Sequence, residues 1–201
     1  MKCAWEKAMA SAQIMDVTAR MIDCLVNSAA YVARTHAKFG TERISRLLVS
    51  ASELMNETIV AYEEDERRAD ECVSTAAGAM MAELKCCGFN FGAARRSIVI
   101  LDPFFDVYRF EHEKDLHDRR LEYVQTFELA QTPVHLSFLQ AARKEYKYGV
   151  GRLEQFYKAL REDSDPFISE YLRCTEKGDK KILAMLKQKQ AVLNQCGLQI
   201  R

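Results

Sequence analysis

Apolar residues recur at steps of three and four along almost the whole chain, and that period specifies helix. From Val73 the series runs through Ala77, Met80, Leu84, Cys87, Phe91, Ala94, Ile98, Leu101, Phe105, Tyr108, His112 and Leu116 without a change of phase. It continues less purely through Arg120, Tyr123, Phe127 and Ala130. A second stripe takes Leu139, Ala142, Tyr146, Gly149, Leu153, Phe156 and Leu160, then Ser164, Phe167, Tyr171, Cys174, Gly178, Ile182 and Met185. Near the start, Ile14, Val17, Met21, Leu25, Ser28, Val32, His36 and Phe39 form a third; after Gly40-Thr41 the phase shifts by one, to Ile44, Leu48, Ala51, Met55, Ile59 and Tyr62. The 201 residues include only 8 Gly and 3 Pro, few for a chain with many turns. The one run that looks like a strand, Ile98 to Leu101, is short and keeps the helical phase.

Breaks in the pattern set the expected architecture. Gln131-Thr132-Pro133 reads as a helix boundary, with Thr132 as N-cap and Pro133 at the first helical position. The first boundary is placed near Asn56 to Glu66, with Gly40 as its rival. Pro103 and Pro166 are read as kinks, because the phase survives both. A proline there removes one backbone hydrogen bond, and at Pro103 the bereft acceptor is Val99. Asp163-Ser164-Asp165-Pro166 also carries a helix-start signature, so a short break is the alternative at Pro166. The glycines of "GFNFG", 88–92, are read as a flexible or closely packed point within a helix. No internal repeat or low-complexity linker is evident.

The expected fold is therefore all-α and a single domain over 1–201. It consists of three long, kinked, antiparallel helices at about 5–57, 63–130 and 133–195, in an elongated coiled-coil bundle. The middle helix would be on the order of 100 Å long. Leu84, Phe91, Ile98, Leu101, Phe105, Tyr108, Leu153, Phe156 and Leu160 are the expected core and dimer residues of the bundle. Adjacent apolar pairs such as Phe104/Phe105 and Phe156/Tyr157 widen the stripes, and a second copy of the chain is the natural cover for the extra face.

Catalytic and metal chemistry find little footing. Of His36, His112, His117 and His135, none follows a Glu by three residues, the spacing of a di-iron bundle. His36 and His112 lie on the apolar stripes and are read as partly buried core residues. No phosphate loop or dinucleotide fingerprint is present, and no Ser, Cys or His spacing identifies a nucleophile and its base. The acidic run "EEDERRADE", 63–71, reads as a solvated face or turn. The seven cysteines, Cys3, Cys24, Cys72, Cys86, Cys87, Cys174 and Cys196, contain no C-x-x-C pair. They are expected to be buried or half-buried thiols of a reducing cytosol. No secretory signal and no apolar run of membrane-spanning length is seen. A non-enzyme with no cofactor and no metal is expected.

Charge is more informative. The total is zero, but residues 1–132 carry 16 Lys/Arg against 21 Asp/Glu and residues 133–201 carry 13 against 8. With a hairpin at Thr132, Arg119 and Arg120 would stand level with Arg143 and Lys144, and Lys147, Arg152 and Lys158 would extend the series. Such a patch suits an anionic membrane, at about 1 kcal/mol per cation. Nucleic acid is not expected as a partner, since the balance is neutral and no recognised binding module appears.

The segment "ILDPFFDVYRFEHEKDLHDRRLEY", 100–123, resembles the middle of the second helix of the BAR-domain superfamily, with Leu101, Pro103, Arg120 and Tyr123 at the matching places. "LQAARKEYKYGVGRLEQFYKALRE", 139–162, resembles the opening of its third helix. The family consists of crescent-shaped helical dimers that bind and bend membranes. The resemblance implies a homodimer joined through broad apolar faces and a distal tip at Gln131 to His135. It also implies lipid contacts by Arg119, Arg120, Arg143, Lys144 and Lys147, to which the basic series adds Arg152. The N-terminal stretch, where Trp5 and Met9 share a face, is read as the first turns of helix one. The expected function is that of a cytoplasmic protein, peripheral on membranes, that senses or shapes anionic bilayers in trafficking steps such as endocytosis. The alternative is a helical scaffold that binds a protein partner, such as a small GTPase, without bending a membrane.

Overall fold

The computed structural model describes residues 4–63, 69–97, 131–172 and 176–198. Among them are seven helices and no strand. They are α1 (Ala4–Thr35), α2 (Thr41–Glu63), α3 (Ala69–Cys86), α4 (Phe91–Ser97), α5 (131–146), α6 (Val150–Leu172) and α7 (Glu176–Asn194). No described helix is long and apolar enough to cross a membrane. Pro103, Ile98, Leu101, Phe105, Tyr108, Arg119 and Arg120 lie outside the described residues, as do His112, His117 and most of the acidic run.

The all-helical expectation holds, but the helices are shorter than their apolar phase suggested. The span 5–57 is cut at 36–40, the span 63–130 at 87–90, and the span 133–195 at 147–149. Each cut has a local cause. At Gly88 the chain turns left-handed (φ 88°), the Gly88 amide donates to the Lys85 carbonyl (2.9 Å), and the Phe89 amide donates to Leu84 (3.0 Å). That pair of bonds is the Schellman stop, which favours glycine because only glycine adopts the conformation without cost. The "GFNFG" segment therefore ends a helix rather than lying within one. Leu84 and Phe91 are both buried across this turn, so two residues can share a core face without sharing a helix. At 36–40 and 147–149 the left-handed residue is Lys38 (φ 56°) or Lys147 (φ 54°). An arginine braces each corner: the Arg34 guanidinium donates to the Phe39 carbonyl (3.1 Å) and that of Arg143 to the Tyr148 carbonyl (3.0 Å). The helix continues through Pro166, so no break occurs there.

These corners expose an internal repeat. Arg34 and Arg143 are 109 positions apart, as are Lys38 and Lys147, Gly40 and Gly149, Arg43 and Arg152, Leu84 and Leu193, and Gly88 and Gly197. The same offset carries α2 onto α6, from Thr41 to Val150 and from Glu63 to Leu172. Burial repeats with it: Ala30 matches Leu139, Ile44 matches Leu153, Leu47 matches Phe156, and Ala51 matches Leu160, all in the core. Gly197 closes the second unit with the same stop, its amide on Asn194 (2.9 Å) and that of Leu198 on Leu193 (3.1 Å). Apart from α4, the described helices thus form two three-helix units, α1-α2-α3 and α5-α6-α7.

The units exchange their first helices. α1 packs against α6 and α7 of the other unit more extensively than against its own α2. Reciprocally, α5 reaches the first unit: the Ser137 hydroxyl meets the Met80 sulfur (3.7 Å), Gln140 bonds Glu83, and the Tyr146 hydroxyl donates to the Arg43 carbonyl (2.6 Å). The corners interlock as well. The Thr41 hydroxyl donates to the Cys196 carbonyl (2.5 Å), and at the equivalent junction Gly88 lies so near Val150 that an added methyl would stand 3.2 Å from its Cγ2.

Interior position overturns the expected tip. Gln131 and His135 are buried, as are Val134, Leu136, Phe138, Leu139, Ala141 and Ala142. A helix covered on nearly every side belongs at the centre of a bundle. His135 packs edge-on against Tyr157 (5.7 Å between ring centres), which also meets Phe91 at 5.0 Å. Residues 131 and 132 are already helical, so Thr132 is not an N-cap and Pro133 is not at a first position. Leu84, Phe91, Leu153, Phe156 and Leu160 lie in one core cluster built from the chain's own helices. Cys24 is buried and Cys196 half-buried, but Cys86 and Cys87 are exposed at the end of α3, contrary to expectation.

One interior contact separates the two units. Lys189 is buried, its ammonium bonded to the Asp163 carboxylate and lying over the rings of Tyr31 (4.6 Å) and Phe167 (5.1 Å). The equivalent pair in the first unit is Met80 and Leu54. Stranding one member of a buried ion pair costs about 3–5 kcal/mol, whereas replacing both with apolar residues is often neutral. Asp163→Leu alone should therefore lower unfolding free energy by about 3 kcal/mol. Adding Lys189→Met, which copies the first unit, should restore most of it. Denaturant melts of the singles and the double check this, and additive losses would refute the equivalence.

Candidate functional site

The two corners face each other across a groove of about 850 Å³. From the first unit come His36, Ala37, Phe39 and Arg43; from the second come Glu145, Tyr146, Lys147, Tyr148, Arg152, Gln155 and Phe156. Helix exchange brings these segments together, because α5 carries Tyr146 onto the first unit's corner. Phe39 then stacks at a tilt on Tyr146 (4.6 Å between ring centres) and edge-on to Tyr148 (6.1 Å), which in turn meets Phe156 (6.1 Å). These rings form an apolar floor, in which Phe39 and Tyr148 are buried.

Cations line the walls. The Arg43 guanidinium lies 5.8 Å from the centre of the Phe39 ring, and that of Arg152 lies 5.8 Å from the centre of Tyr148. The repeat explains the match: each arginine comes four residues after its aromatic, on the first turn of the helix leaving the corner. Neither guanidinium meets a carboxylate at ion-pair distance among the described residues, whereas neighbouring Arg46 is held by Glu42 (3.0 Å). The lining therefore carries Arg43, Lys147 and Arg152 against the single carboxylate of Glu145.

The phenols remain hydrogen-bond donors at neutral pH. Burial pushes Tyr148 above its ordinary value of 10.0, with Arg152 and then Arg43 pulling it partly back. Burial also raises Tyr146, opposed first by Arg46 and reinforced by Glu145. Donors and positive charge over an aromatic floor can hold an anion. The lining offers no paired nucleophile and base. Among the described residues no group of three His, Cys, Asp or Glu is placed to hold a metal.

The expected cationic residues divide. Lys147 and Arg152 line the groove. Lys144 is exposed, its carbonyl accepting from the Lys147 ammonium (3.0 Å). Arg143 is half-buried and spent on bracing the corner, so it is not offered to a ligand. His36, expected in the core, is exposed on the groove wall. Phe39, Arg43, Tyr146 and Tyr148 were missed as site residues. Their signal is the pattern A-R-x-x-x-K-[F/Y]-G-x-x-R-[I/L], which occurs at 33–44 and again at 142–153.

A phenol raised on folding contributes stability below its unfolded-state value that is lost as pH rises through the folded value. Phenolate absorbance of the native chain should show tyrosines titrating above the ordinary value, and Tyr148→Phe should remove one of them. The same variant should lessen the fall in unfolding midpoint above about pH 10. An unchanged titration curve in that variant would contradict the burial described.

Comparison of the chain with protein-family models, curated proteins and solved structures found no match.

Proposed function

We propose that the chain is a helical scaffold that binds an acidic protein partner in the corner-to-corner groove. The observation that carries this reading is the gathering of Arg43, Lys147 and Arg152, against the single carboxylate of Glu145, around a groove floored by Phe39, Tyr146 and Tyr148. Arginine and tyrosine are the residue types that dominate binding energy at protein interfaces. The recessed, ring-floored shape suits side chains of an extended segment, and a helix bundle holds such a surface rigidly.

A second reading keeps the expected membrane role, that of a BAR-like homodimer peripheral on anionic bilayers. Exposed Lys144, and Lys147 in the groove lining, favour it. It draws on residues 98–130, which lie outside the described residues. It also needs a longer, flatter cationic surface than the groove alone supplies.

A labelled copolymer of Glu and Tyr should bind at low salt and weaken as salt rises, as exposed charge pairs do. Arg43→Glu combined with Arg152→Glu should weaken it by at least about tenfold, one such factor being about 1.4 kcal/mol. Binding that is insensitive to this reversal would sink the groove reading. Co-sedimentation with phosphatidylserine vesicles but not with phosphatidylcholine vesicles, in the absence of copolymer binding, would establish the membrane reading instead.

A further inference from the structure

We infer that the groove is built for one phosphate monoester, held between Arg43 and Arg152 beside the Tyr148 hydroxyl, and that the partner is a phosphorylated protein segment. This rests on the groove being the partner site and names the chemistry it selects.

Both arginines are prepared for a shared ligand. Each comes from the same position of its repeat, and each is steadied by a ring 5.8 Å away. Holding a guanidinium in place before binding removes ordering cost from the binding step. Both line the same groove, and the two rings that steady them, Phe39 and Tyr148, lie 6.1 Å apart between centres, so the two positive charges share one anion-sized region. A guanidinium presents a planar fork of donors that matches phosphate oxygens in pairs. The protonated phenol adds a further donor, and Lys147 adds charge at the rim.

Charge selects phosphate over carboxylate. A phosphate monoester carries about −1.5 to −2 at neutral pH and three strong acceptor oxygens. Two guanidiniums and one ammonium, partly offset by Glu145, match a dianion; a single carboxylate would leave one guanidinium unmatched. The volume of about 850 Å³ far exceeds a phosphate alone. The remaining space, floored by Phe39 and Phe156, takes the phosphorylated side chain and an apolar neighbour. That combination of one dianion with adjoining apolar bulk favours a peptide over free phosphate.

Full-length chain should be titrated with degenerate peptide mixtures centred on phosphoserine, phosphothreonine or phosphotyrosine. The same mixtures centred on glutamate and on the unmodified residues serve as references. At least one phosphorylated mixture should bind about tenfold or more tighter than its glutamate counterpart, the gain of one charge-assisted hydrogen bond. Arg43→Gln and Arg152→Gln should each erase most of that gain, with unfolding midpoints unchanged, while Lys144→Gln should not. Equal affinity for phosphorylated and glutamate mixtures would overturn the phosphate inference and leave the acidic-partner reading intact. No binding of any mixture would overturn both. Inorganic phosphate competing as well as the peptides would show an anion site without a peptide partner, and so would binding confined to phosphoinositide vesicles show a lipid one; either overturns the inference.

Discussion

Helix exchange is the constraint from which the rest of this structure follows. α5 is covered on nearly every side, and a helix so apolar cannot stay folded without neighbours on each face. Its own unit supplies only part of that cover. The first unit adds α2 and α3, which is why Ser137, Gln140 and Tyr146 all make their contacts across the repeat. α1 is in the reciprocal position against α6 and α7. Neither unit, taken alone, completes a core, so the two stand or fall together.

The groove is a by-product of the same exchange. Each unit carries a corner with a left-handed lysine, a buried aromatic and an exposed arginine. Crossing the first helices brings the corners face to face, and two ordinary helix connections become one cationic, aromatic site. Arg34 and Arg143 do not enter it; they hold the corner carbonyls that let Arg43 and Arg152 project. The distinction matters because all four arginines look alike in the sequence. The two that brace have a carbonyl partner within 3.1 Å, and the two that line the groove each stand by a ring.

The two units have diverged where their environments differ. Met80 and Leu54 in the first correspond to Lys189 and Asp163 in the second, an apolar pair exchanged for a buried ion pair over two rings. Asn27, buried on α1, corresponds to Leu136 on α5, the more central helix. Where the repeat keeps a residue type, backbone geometry or bracing demands it. Gly88 and Gly197 sit at positive φ, and Arg34 and Arg143 make the same bond.

Periodicity alone determined that the chain is helical, and it placed Leu84, Phe91, Leu153, Phe156 and Leu160 in a core, because burial of one face requires that spacing. It could not say which neighbour covers that face. The same stripe serves a rod, a dimer or an exchanged bundle, and here the three expected spans are cut at 36–40, 87–90 and 147–149. Phase passed unbroken through Gly88 and Gly149 because a turn of suitable length can return a second helix to the same core. The corner pattern was legible in principle, twice over, but its copies are 109 positions apart and most of the matching residues between them differ. Only tertiary structure decided that Lys147 and Arg152 share a site with Arg43 while Arg143 does not. The reason is physical: a side chain's partner is set by which helices cross, and that crossing depends on the whole core rather than on any local run of residues.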